Sequence, residues 1–422
     1  MTVAEAVDQL PRRVAGWAAA RSLAPNSMTG ISLALGLCAA VWFTAGTRPG
    51  IAAGVLALGG SYLAGRSARR LARLPADAPR AQRAGDMGAQ RAADMTARER
   101  AARAKVISDR RLARAVAAVT ECGTCAGLAT GGLAAGGLAA GGPLASWGMW
   151  QLATLAVIMV SVSQLAVACG GRAPAGRPPG ASRRGPGWRV LGMPYGGRVL
   201  LIAVAAPVFG ARGVFLGLAG WAVVALGYAV ISSRYRPPGA RAARVILARR
   251  DDGLIATEIG LPVRGQLVPL PPALTGVAAV AVLAVLGLRN LPGFLLLAPV
   301  VAMLLAAVGS SHPHDGRLDW LVPVLLQAGQ FAYLAAIGDA TGVPATLIFA
   351  VCALTALHYA DLAGHPSPAT AVGWDGRMVA AGLGAALGMA TFAYLLLAAY
   401  LCVLIWQEFM GSWLPATEGD GR

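Results

Sequence analysis

Apolar positions in this chain come in long runs rather than alternating with polar ones. Twelve runs are read, at about 28–46, 50–65, 112–131, 146–169, 196–210, 213–232, 272–288, 292–308, 318–338, 343–362, 376–390 and 391–410. Runs of this length with almost no charge predict helices that cross a bilayer, which takes about 20 apolar residues. The pairs 196–232 and 376–410 each read as two short helices or one re-entrant unit, so the count is twelve or ten. Ahead of them, Val3, Val7, Leu10, Val14 and Trp17 recur at spacings of four, three, four and three, one apolar stripe beside Arg12, Arg13 and Arg21. This predicts a helix lying in the membrane interface, as one piece or as two about Pro11. The stretches 66–111 and 171–195 are polar and read as loops, and GRAPAGRPPGASRRGPG as disordered.

Composition sharpens the class. Of 422 residues, 56% are apolar and 13% charged, about half the charged fraction of a soluble domain, and mean hydropathy is +0.61. A soluble enzyme and a disordered chain are excluded. The six cysteines lie in or at apolar runs and imply no disulfide framework. The first 13 residues, MTVAEAVDQLPRR, carry acids and no apolar core, so they do not read as a secretory signal.

The net charge is +17, carried by 36 Lys and Arg of which Lys105 is the sole lysine. With the N-terminus inside, 32 of the 36 fall on cytoplasmic segments. Arg48, Arg212 and Arg289 fall outside and Arg114 at a boundary. The positive-inside rule therefore places both termini in the cytoplasm of a multi-pass cell-membrane protein. The basic 66–111 segment then faces anionic lipid headgroups and needs no nucleic acid.

Two short patterns recur. Pro25-Asn26-Ser27-Met28-Thr29-Gly30 opens the first run and Pro271-Pro272-Ala273-Leu274-Thr275-Gly276 the seventh, sharing Pro-x-x-x-Thr-Gly. Gly197-Arg198-Val199 and Gly376-Arg377-Met378 each precede a pair of runs. Both suggest a duplication into two six-span lobes, and six being even, the lobes share one orientation.

Six spans, an amphipathic lead-in and Pro-Asn-x-x-Thr at the first span resemble the CDP-alcohol phosphatidyltransferase family. Its signature, D-x-x-D-G-x-x-A-R followed by G-x-x-x-D-x-x-x-D, joins spans two and three. The resemblance implies a two-metal site on which four carboxylates hold divalent cations against the donor diphosphate. Here the first position is Ser61 and the second Ala64; Gly65, Ala68 and Arg69 keep the pattern. On the third span Ala113 and Ala117 stand for aspartates, and Glu121 remains. The first lobe is thus expected to be a scaffold that has lost the chemistry, a pseudoenzyme tied to phospholipid biosynthesis.

The second half, about 185–412, resembles a high-GC bacterial domain of unknown function found joined to phosphatidyltransferase-like segments. The resemblance rests on its SHPHDGRLDW, HYADL and GWDGR stretches. All four histidines lie here. His312, His314, Asp315, Asp319, His358, Asp361, His365, Asp375 and Arg377 all fall at the predicted cytoplasmic face. Polar residues gathered at one membrane face are a site hypothesis. Asp319 and His358 are the catalytic candidates. Arg377, Asp375, His312 and His314 are candidates for a phosphate or headgroup, and Asp315, Asp319 and Asp361 for a metal, Mg or Mn if the site is active. The plainer reading makes them helix caps and a solvated rim. Cys122-Gly123-Thr124-Cys125 has redox spacing but lies in a span and reads as packing.

The expectation is an all-α polytopic membrane protein of about twelve transmembrane helices in two parallel six-helix lobes. An interfacial segment 1–27 precedes the first lobe, 28–232; a linker, 233–266, leads to the second, 267–412, and a polar tail, 413–422, ends the chain. Three functions stay open: a phosphatidyltransferase-related protein with any surviving site on the second lobe, a non-catalytic scaffold or partner subunit, and a transporter. A homodimer is compatible with each.

Overall fold

The structure, a computed structural model, describes residues 3–72, 89–134, 147–171, 191–192, 194–233, 251–260, 262, 268–286, 293–307, 318–362 and 372–413. Among them there is no strand. Thirteen α-helices follow in order: α1 Val3–Ala20, α2 Pro25–Thr44, α3 Arg48–Leu71, α4 Ala89–Ala134, α5 Met149–Gly171, α6 Tyr195–Ser233, α7 Leu254–Gly260, α8 Leu270–Leu286, α9 Ala298–Ala307, α10 Val322–Ala340, α11 Ala345–Leu362, α12 Trp374–Ala386 and α13 Ala390–Trp413. Short 3-10 turns, Gly293–Leu297 and Asp319–Leu321, lead into α9 and α10.

Six stretches are long and apolar enough to cross a membrane: Pro25–Thr44, Leu112–Ala134, Met149–Cys169, Tyr195–Ser233, Asp319–Ala340 and Ala390–Gln407. Leu270–Val282, Gly293–Ala307 and Ala345–Ala360 are apolar but shorter. The 39 residues of α6 would span about 58 Å if straight, but Gly210, at φ 66° and ψ −172°, breaks its helical geometry three residues after Pro207. Glycine tolerates that conformation, and the break falls where the sequence divides 196–210 from 213–232.

One expectation is corrected and one alternative is decided. The polar 66–111 stretch is not all loop, because α3 runs on to Leu71 and α4 begins at Ala89. Its first turns, AQRAADMTARERAARAK, are rich in strong helix formers. Of the two forms open for the lead-in, α1 takes the single one, a helix with Pro11 inside it. It packs on α3 through Ala15 and Ala18 against Ala64, Ala68 and Leu71, leaving Leu10 and Trp17 about half exposed.

The chain gathers into two compact units, Met1–Ala135 with Trp406–Arg422, and Gly136–Ile405. In the first, α2 packs on α3 and α4. Its closeness comes from small residues: a Cβ on Gly127 would meet the Ala40 carbonyl, one on Gly131 the Phe43 carbonyl, and one on Gly36 the Thr120 side chain. Gly123, Gly127 and Gly131, four apart on α4, form the stripe that lets backbones approach. Cys122 and Cys125 lie on this helix, and none of the six cysteines forms a disulfide. In the second unit, α5 packs on α6, α10 and α11, and α10 on α8, α11 and α12. A core containing Trp320, Phe331, Tyr333, Ile337, Cys352, Met378 and Tyr394 fills the spaces between them.

Candidate functional site

The second unit holds a buried polar cluster where residues 251–260 meet the ends of α11 and α12. The chain enters α12 through Gly373, its N-cap. Asp375, in the first turn of α12, turns its carboxylate toward α7: Oδ1 accepts from Gly253 N (3.1 Å) and Gly376 N (2.8 Å), and Oδ2 from Ala256 N (2.8 Å). The first amides of a helix have no partner within it, so Asp375 caps α7 from another element. Beside it, Trp374 Nε1 donates to Asp252 Oδ1 at 2.9 Å. The two strands of chain lie so close that a Cβ on Gly253 would meet Gly373 N at 2.8 Å. Asp251-Asp252-Gly253 thus interlocks with Gly373-Trp374-Asp375-Gly376-Arg377.

Asp251 is the centre of the cluster. Arg377 grips its carboxylate with both terminal nitrogens: Nη1 donates to Oδ1 at 3.1 Å and Nη2 to Oδ2. His358 Nε2 lies 3.1 Å from the same Oδ1. Arg377, His358 and Asp251 are 0%, 0% and 1% exposed. Burial pushes the Asp251 carboxyl up, but the Arg377 guanidinium and the His358 hydrogen bond outweigh it and hold the group at about 2. Arg377 also lies over the Tyr359 ring, 5.8 Å from its centroid. Tyr359 Oη donates to Gln330 Oε1 at 2.8 Å, and Tyr400 Oη to Val372 O at 3.1 Å, which braces the entry to α12.

Of the candidates from sequence, the structure brings His358, Asp375 and Arg377 to one place. Both ends of the Arg377 fork meet Asp251, so the guanidinium is engaged within the protein rather than presented to a phosphate. Asp319 is buried elsewhere, as the first residue of the 3-10 turn leading into α10, where a carboxylate suits the positive helix end. His312, His314, Asp315 and His365 lie outside the described residues; Asp361 is in α11, its side chain outside them. Among the described residues no three His, Cys, Asp or Glu side chains gather as a metal-binding group.

Sequence reasoning missed Asp251, which it placed in a linker. A signal existed: acids number 19 in 422 residues, and an adjacent pair of them followed by glycine, inside a basic stretch, had no topological use. An ion pair joining residues 126 positions apart in sequence has no local pattern to announce it.

The first-unit motif positions are engaged in packing. Ser61 Oγ donates to Ser32 O at 2.7 Å, and Ser32 Oγ to Ser61 O at 2.7 Å, a reciprocal clasp between α3 and α2. Ala64 and Ala68 are buried against α1, and Ala113 is buried on α4. A Cβ on Gly65 would stand 3.0 Å from Ser32 Oγ. Ala117 and Glu121 are partly exposed on α4, and Arg69 sits in the last turn of α3, where a cation suits the negative helix end. No family model, no curated protein and no solved structure matches the chain.

Proposed function

We propose that this is a non-catalytic membrane protein related to the CDP-alcohol phosphatidyltransferases, a scaffold or partner subunit in phospholipid or phosphoalcohol metabolism at the inner leaflet. On this reading both termini are cytoplasmic. The twelve apolar runs cross the membrane as two parallel sets of six counted in chain order: the six long stretches, of which the one broken at Gly210 counts twice, the three shorter apolar helices, and α3 and α12. The observation that supports the loss of chemistry is the use made of Ser61 and Ala64. Where the resembled family would place its first two metal-binding aspartates, one side chain clasps a neighbouring helix and the other fills a helix contact. A two-metal site needs convergent carboxylates, and these two positions carry a hydroxyl committed to a backbone carbonyl and a methyl group, neither of which supplies the negative charge. In the second unit the Arg377 guanidinium fork is committed to Asp251, which favours a structural use of that residue as well.

The test is direct. Full-length protein in liposomes is given CDP-linked alcohols with Mg²⁺ or Mn²⁺, and CMP release is followed. The expected result is no metal-dependent release above protein-free liposomes. Release that Glu121→Gln abolishes would overturn the reading by restoring the first-unit site. Labelling of a cysteine placed at position 48 from the outside only is the expected topology, and labelling from the cytoplasmic side only would reverse it.

A further inference from the structure

Two glutamines stand side by side in the interior of the second unit. Gln327 and Gln330 are 2% and 0% exposed and lie three residues apart on α10, neighbours on one helix face. Each is half used. Gln327 Nε2 donates to Ser161 Oγ on α5 at 3.1 Å, and Gln330 Oε1 accepts from Tyr359 on α11. The other half of each amide, Gln327 Oε1 and Gln330 Nε2, is buried and meets no hydrogen-bond partner. One is an acceptor and the other a donor, so the two unmet needs are complementary, yet they do not meet directly.

We propose that a structural water molecule is held between Gln327 and Gln330, accepting from Gln330 Nε2 and donating to Gln327 Oε1. A buried polar atom without a partner is costly, and such atoms are as a rule satisfied by ordered water. Inside a bundle of apolar helices no solvent or lipid group can do this from outside. The inference does not depend on how the amides are oriented. With the Gln327 oxygen and nitrogen exchanged, Ser161 donates to it, and the unmet atom becomes a second donor to the same water. The water joins two separate polar runs into one. Ser161, Gln327, the water, Gln330, Tyr359, Arg377 and Asp251 become a continuous hydrogen-bonded series across α5, α10, α11, α12 and the segment before α7, the Arg377 to Tyr359 link being the longest at 3.4 Å.

The experiment is a double-mutant cycle on the full-length protein in detergent, with Gln327→Leu, Gln330→Leu and the pair, read as melting temperature. With a shared water, each single change strips it of one partner and lowers the melting temperature. The second change then costs less than the first, so the cycle shows clear coupling. Two independent amides predict additivity: each leucine shifts the melting temperature through its own lost bond, to Ser161 or from Tyr359, and the double variant shows the sum, which would overturn the proposal. Should the variants fail to fold, a structure of the unaltered protein at a resolution that shows ordered water decides. Density within hydrogen-bond distance of both amides is expected, and its absence would equally overturn the proposal.

Discussion

The two compact units bury polarity in different ways. In the first, the buried polar side chains among the described residues are Thr29, Ser32, Ser61, Ser67, Thr120 and Thr124, all hydroxyls. In the second, the buried set includes Arg198, Asp251, Asp319, Gln327, Gln330, His358, Asp375 and Arg377. A hydroxyl can satisfy itself on its own helix, as Thr29 does on Pro25 O and Thr124 on Thr120 O, or reach a neighbouring backbone, as Ser32 and Ser61 do. It makes small demands on the rest of the fold. A buried charge needs a partner, and here the partner comes from a distant segment. The first unit is therefore specified by shape, through glycines and alanines that let helices close. The second is specified by pairing, through a cluster that ties residues 251–256 to α11 and α12.

That contrast is broken most sharply at Asp251. Asp251→Asn leaves a buried guanidinium with half its partner, and a loss of about 3–5 kcal/mol is expected, as for other buried pairs with one member removed. Thermal melting in detergent measures it; a loss below about 1 kcal/mol would mean that the cluster does not hold the unit together. The same residue sets an acid limb. Its carboxyl is held at about 2 against an ordinary 3.8, so the folded state binds the proton less readily than the unfolded one. Its contribution is complete above the unfolded value and is lost as pH falls from about 4 through about 2. Order-of-magnitude linkage puts that contribution at about 2 kcal/mol. Stability should be flat with respect to this group from pH 5 to 8 and decline below pH 4, and Asp251→Asn should flatten that limb.

In the first unit the matching test is steric. Gly127→Val forces a branched side chain toward the Ala40 carbonyl, and overpacking of this kind costs about 1–3 kcal/mol. Gly59 is the control, since a Cβ there meets nothing within 4 Å. Gly59→Ala should leave stability unchanged or raise it by up to about 1 kcal/mol through helix propensity. If the two substitutions behave alike in a melting assay, the helices of this unit are not held by close backbone approach.

The same contrast decides what could be read in advance. Apolar runs survive translation into helices because burial and lipid ask for the same residues along a whole element, so α2, α5, α10 and α13 lie close to their expected bounds. Within the expected 66–111 loop, the described residues 66–71 and 89–111 are helical because polarity is not irregularity: the Ala, Arg, Glu and Gln of α4 are strong helix formers. The lead-in helix forms where its stripe places it; the contact it makes with α3, through the small Ala15 and Ala18, has no apolar pattern of its own because those residues lie beside the stripe of Leu10 and Trp17. At the site, His358, Asp375 and Arg377 stood out as polar residues at helix ends. Their roles did not, because Asp251, the group that answers two of them, sits over a hundred residues away.

The smallest expected effect lies at the Ser32–Ser61 clasp, where the two modes of specification meet. Each serine donates to the other's backbone carbonyl at 2.7 Å, and their hydroxyl oxygens are 3.2 Å apart. Ser61→Ala removes one of these bonds but leaves Ser32 Oγ with its acceptor, the Ser61 carbonyl. A net loss of about 0.5–1.5 kcal/mol is the usual worth of one such bond. Ser32→Ala should cost about the same, and the double variant should depart from the sum by the coupling of the two hydroxyls, which contact each other directly. The comparison with Asp251 then becomes quantitative. If the clasp is worth as much as the ion cluster, polarity does the same work in both units and the distinction between shape and pairing fails. If it is worth a third or less, the first unit owes its helix order to its glycines and alanines, which Gly127→Val tests independently.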